Sequence, residues 1–141
     1  MAANDWRTGT YAKDPQGRGN FNEQQEDLKG QEFTIVRYFD CVANPLTSGD
    51  SYKVLTIGAG VMITGMYVNV VTAEGAADTV DIGDSASATA FHNDLSVNSA
   101  VVTALTTQTK YYSAANYISI LANAGIAAAQ FYLIVKGVRL V

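Results

Sequence analysis

Three carboxylates stand at equal spacing in Asp78-Thr79-Val80-Asp81-Ile82-Gly83-Asp84. Hard oxygen donors of this kind are what Ca²⁺ takes. The stretch reads as a strand, however, and an offset of three on a strand sends side chains to opposite faces. It also fails the EF-hand loop pattern. These residues are read as strand-end and turn carboxylates, and no metal is expected. His92 is the single histidine, followed by Asn93 and Asp94, with Ser85, Ser87 and Ser96 near it in sequence. A Ser-His-Asp site would need a presented nucleophile, and no nucleophile-elbow signature is there. His92 is expected to be a loop histidine making ordinary hydrogen bonds.

The remaining reactive types lead no further. Cys41 has no second cysteine to pair with, and it reads as a small buried residue at a strand end. A single cysteine also fits synthesis in a reducing cytoplasm. Gly58-Ala59-Gly60 lacks the Lys-Ser/Thr of a phosphate loop and leads into a strand. Glu26 and Asp27 lie in a polar stretch and read as solvated. Tyr111, Tyr112 and Tyr117 flank a polar loop. They could form a stacking platform for a sugar, or serve as core and interface tyrosines, since Tyr suits strands and interfaces alike. The expectation is no catalytic residue, no cofactor and no enzyme.

The elements that carry these residues are mostly strands. Val61–Thr72 is the central one, rich in Val, Ile, Thr and Tyr. Both of its alternating sets are largely apolar, so cover is expected on both sides, from a second layer or another subunit. Gln31–Cys41 and Ser51–Ile57 precede it. The second of these is expected to form a hairpin with the central strand through Gly58–Gly60. Thr79–Ile82, a short strand near Ala90–His92, Ala100–Leu105, Thr109–Tyr112 and Tyr117–Leu121 follow. Ala129–Val141 closes the series, with Phe131, Leu133 and Val135 on one face and Tyr132, Ile134 and Lys136 on the other. About eight strands with turn signals between them predict an all-β body, either a β-sandwich, a jelly roll or a related barrel. Tyr67, Tyr132 and Ile134 are the candidate subunit-interface residues.

Residues 1–30 are different material, polar and Gly-rich, with Trp6, Tyr11, Phe21 and Leu28 as isolated apolar side chains. Such a stretch cannot bury enough apolar surface to fold alone. It reads as an extended arm ahead of a body at 31–141, with Trp6, Tyr11 and Phe21 as spaced anchors for a partner. A short helix over Asn22–Leu28 would be capped by Asn22.

Composition bounds the function. The chain is 48% hydrophobic but only 16% charged, below the roughly 25% usual for soluble domains. Much of its surface is therefore expected to be covered by neighbours. A net charge of −4 argues against nucleic acid as a partner. The N-terminus has no secretory pattern. The uncharged run Tyr111–Val135 is broken around Asn123-Ala124-Gly125 and has no flanking basic cluster, so no membrane span is expected.

The body resembles a family. VLTIGAGVMITGMYVNVVTAEGAADTVDIGD, a polar loop, then KYYSAANYISILANAGIAAAQFYLIVKGVRLV is similar to the small β-structured virion proteins of tailed bacteriophages. The shared features are a Gly-containing entry into a Val-rich strand, a V-x-I-G-D turn, a Tyr-Ser-Ala-x-x-Tyr-Ile segment and a Gly-Ile-Ala break before a closing strand. The resemblance spans about Ser51–Val141. It implies a capsid decoration (cement) protein with a jelly-roll-like body, which as a homotrimer binds the major capsid protein on the outside of the head. It assigns no catalytic residues. A carbohydrate-binding module of a phage fibre or tail is the alternative.

Overall fold

A computed structural model describes residues 30–141, which form nine strands in two antiparallel sheets. The strands are β1 (Glu32–Asp40), β2 (Ser51–Ile57), β3 (Val61–Thr72), β4 (Thr79–Asp84), β5 (His92–Ser96), β6 (Val102–Ala104), β7 (Lys110–Tyr112), β8 (Asn116–Ala122) and β9 (Gln130–Arg139). One sheet runs β1-β9-β3-β6, with β7 on the same side of β3 as β6 but further along it. The other runs β2-β8-β4-β5. Taken as one interrupted strand, β6 and β7 bring the count to eight. The pairs then nest: first with last, β2 with β8, β3 with β6/β7, β4 with β5. That nesting is a long hairpin folded over on itself into two facing sheets, the jelly roll.

The expected β2–β3 hairpin is not formed. Gly60 does turn the chain, at φ 79°, but β2 and β3 lie in different sheets, each held by distant partners. The Gly-rich connection is a crossing between layers. Likewise β3 and β4 are successive in sequence and belong to opposite sheets.

The core lies between the sheets. Ile63, Met66, Val68, Phe131, Leu133 and Val135 enter it from one side, and Val80, Ile82, Ile118 and Ile120 from the other; all ten are fully buried. Each such side chain contributes about 1.5–3 kcal/mol by leaving water. Strict alternation fails in β3. A register shift between Ile63 and Gly65 moves the phase by one, so Val61 and Ile63 point inward together with Met66, Val68 and Val70. The uncharged run Tyr111–Val135 is divided among β7, β8 and β9. No helix among the described residues is long and apolar enough to cross a membrane.

Candidate functional site

Two of the three carboxylates of β4 and its approach are bonded within the body. β4 sends Asp84 inward, where its side chain is fully buried. It accepts from Tyr112 Oη at 2.6 Å and Lys110 Nζ at 2.7 Å, both on β7 of the opposite sheet. It also accepts from the backbone N–H of Ala86 at 3.0 Å and Ser87 at 3.2 Å. Burial alone would raise its pKa, but these donors together outweigh that and hold the carboxyl below its ordinary value. Burial, and after it the bond to Asp84, pushes the Tyr112 hydroxyl well above its ordinary value. Asp84 is thus a lock between the two layers.

Asp81 points to the outer side of its sheet, as the offset of three requires, yet it is also buried. It accepts from Asp94 N–H at 2.7 Å and Asn123 Nδ2 at 2.9 Å, and it lies within β4 where a strand-end or turn position was expected. No group of three or more His, Cys, Asp or Glu at metal-binding proximity occurs among the described residues. His92 begins β5 and is not in a loop. Its Nδ1 accepts from Thr106 N–H at 3.0 Å, and among the described residues no serine bonds to it. Ser87 is paired with Thr89, and Ser96 with Asn98. Cys41 is fully buried. Burial first, then the nearby Glu74 and Asp40 charges, push its thiol up to about 11, so it stays protonated and unreactive.

The three tyrosines of a sugar platform are not brought together. Tyr112 is buried against Asp84. Tyr111 points outward from the five-stranded sheet, and Tyr117 outward from the four-stranded one, with Lys53 Nζ 4.5 Å from its ring centre.

What the fold does gather is an apolar outer face on the five-stranded sheet. The registers place Val36, Ile134, Tyr67 and Ala104 in one row across four strands, and Tyr38, Tyr132, Asn69 and Val102 in the next. The candidate residues Tyr67, Tyr132 and Ile134 are therefore immediate neighbours. Tyr38 and Tyr132 rings lie 4.8 Å apart, tilted at 34°. Val36 and Tyr38 are each 50% exposed, and Val102 65%. The face is thus largely apolar along two adjacent rows. Strand periodicity alone pointed to Tyr132 and Ile134. It missed Val36, Tyr38 and Val102, because the neighbour across each row is a pairing fact. Trp6, Tyr11, Phe21 and the expected helix at Asn22–Leu28 lie outside the described residues.

No protein-family model and no curated protein matches the sequence. Solved structures do. A chain of the Cyanophage Pam1 capsid asymmetric unit is similar at 16% identity and TM-score 0.60, covering 97% of each chain. A chain of the capsid of Ralstonia phage GP4 is 16% identical at TM-score 0.60, covering 80% of this chain and 87% of that one. A chain of the acidic stable capsid structure of Helicobacter pylori bacteriophage KHP30 is 13% identical at TM-score 0.60, over 78% and 89%. At such identities the likeness is one of fold, and the high mutual coverage means that these are chains of comparable size sharing one jelly roll.

Proposed function

We propose that this chain is a structural virion protein, a decoration (cement) protein that binds the outer surface of a tailed-phage head as a homotrimer and stabilises the shell. The observation that carries the reading is the apolar outer face built from Val36, Tyr38, Tyr67, Val102, Tyr132 and Ile134. It is the surface on which copies of the chain would meet. Fold likeness to similarly sized chains of three phage capsids supports the setting. So do the low charge of the whole chain and the use of Asp81 and Asp84 in bonds within the body. In this reading the stretch 1–30 reaches the major capsid protein, with Trp6, Tyr11 and Phe21 as anchors. Three such stretches on one trimer add avidity that one copy lacks. The mechanism is added buried area across capsomer boundaries, which opposes the outward pressure of packaged DNA.

The test is the native mass of the full-length chain by light scattering, followed by binding to shells that lack it. A trimer whose shell affinity falls at least tenfold in a Trp6→Ala/Tyr11→Ala variant is expected. A clean monomer at high concentration overturns the trimer, and unchanged shell binding by the variant overturns the anchoring.

A further inference from the structure

Along one side of the sandwich, β5 of the four-stranded sheet meets the junction between β6 and β7 of the other sheet, and two successive junction residues tie them together. Thr106 N–H donates to His92 Nδ1 at 3.0 Å, and Thr107 N–H donates to Phe91 O at 2.9 Å. The Thr106 hydroxyl also lies 3.1 Å from His92 Nδ1. β6, which brings Val102 and Ala104 to the outer face, ends two residues before Thr106.

The two ties differ in kind. A carbonyl oxygen such as that of Phe91 accepts at any pH. An imidazole nitrogen accepts only while it carries no proton. A backbone N–H can only donate, so the bond from Thr106 sets the proton of the neutral His92 ring on Nε2. A second proton taken up by the ring must go to Nδ1, where two N–H groups would then point at each other. The Thr106 hydroxyl, already within reach, can change from donor to acceptor and receive the new Nδ1–H. Thr106 is exposed, so its released N–H turns to water at little cost.

We infer that His92 and Thr106 form a pH-sensitive clasp between the two sheets. The neutral ring holds the Thr106 backbone; the charged ring holds the Thr106 hydroxyl instead and frees that amide. The surroundings confine the change to this joint. The charged groups on the adjoining elements are Asp94 on β5, Asp81 and Asp84 on β4, and Lys110 on β7. Asp94 and Asp81 share Asn123, and Asp84 holds Lys110; among the described residues no hydrogen bond joins any of the four to His92. On the other flank, Gln108 holds Met66 and Leu105, and Leu105 N–H donates to Met66 O. The end of β6 therefore stays on β3 whichever way the clasp is set.

This inference goes beyond the virion reading and does not rest on it. The test uses the purified full-length chain. NMR of the ring nitrogens at neutral pH should find the proton on Nε2. Amide protection, corrected for the intrinsic effect of pH on exchange, is then followed from about pH 7.5 to about pH 5, the range in which histidine titrates. Thr106 is expected to lose protection about fivefold, while Thr107 and Val68 in β3 keep theirs. In His92→Asn, whose Oδ1 can accept where Nδ1 did and does not titrate, Thr106 should be equally protected at both ends of the range. A neutral ring with its proton on Nδ1 overturns the proposal. So does unchanged Thr106 protection in the parent, a loss shared by Thr107 and Val68, or an equal loss in His92→Asn.

Discussion

Asp84 shows how much one side chain can decide. It sits inside the protein with a tyrosine, a lysine and two backbone amides as donors. Asp84→Ala removes all of these bonds and leaves a buried hydroxyl without an acceptor. The expected cost is about 3 kcal/mol in denaturant unfolding. Tyr112→Phe removes one donor, and is expected to cost about 1 kcal/mol. The pH dependence has a definite sign. The folded carboxyl titrates below its unfolded value, so its contribution is fully present above the ordinary carboxylate range. It is lost as pH falls from that range through the lowered folded pKa. Acid unfolding of Asp84→Asn followed alongside the parent should show a flatter decline over that window. An equally steep decline would mean that other carboxylates dominate. None of this was legible beforehand. The sequence shows Asp84 at the end of a strand, but its side-chain partners lie 26 and 28 positions later, and only the folded wrap brings them near.

At the scale of elements, two side chains replace missing backbone partners. Where β6 gives way to β7, Gln108 fills the gap in the ladder. Its Oε1 accepts from Met66 N–H at 3.1 Å, and its Nε2 donates to Met66 O at 2.8 Å and Leu105 O at 2.7 Å. Between β8 and β9, the buried Glu74 accepts from the successive N–H groups of Ala128 and Ala129, both at 2.8 Å. Glu74→Ala should therefore speed amide exchange at Ala128 and Ala129 by tenfold or more, about 1.4 kcal/mol of local opening, while β3 amides keep their protection. Loss of protection throughout would show that the loop and sheet open together. The limits of the elements were readable from residue types: the extents of β2 and β3 coincide with the Val/Ile/Thr runs that predict them. Their pairing was not. Gly58–Gly60 has the chemistry of a tight turn, and that fixes a change of direction without choosing the partner. The bulge at Ile63–Gly65 was hidden for a related reason, since it answers to β9 and to Gln108 across the sheet.

For the whole molecule, the proposed trimer rests on the outer face of the five-stranded sheet. Tyr132 and Ile134 are half-buried there and contribute little to the inner core. Tyr132→Lys/Ile134→Lys is expected to keep the unfolding midpoint within about 1 kcal/mol of the parent, yet to reduce the assembly to monomer in light scattering. A trimer that survives both lysines would place the contact elsewhere. The jelly roll itself was within reach of strand count and turn spacing. Its choice over other sandwiches and barrels was not, because that depends on which strands meet across the whole length of the chain.

The nested wrap also sets an order in time. Among the described residues β1 finds no backbone partner in its sheet until β9 exists, and the neighbours Asp40 and Gln130 are 90 positions apart. Contacts so distant along the chain make for slow folding, in milliseconds to seconds. During synthesis the first strand must wait, its edge exposed, for the last to leave the ribosome. The apolar face that spans β1, β9 and β3 is then completed late, when the body is almost wholly made.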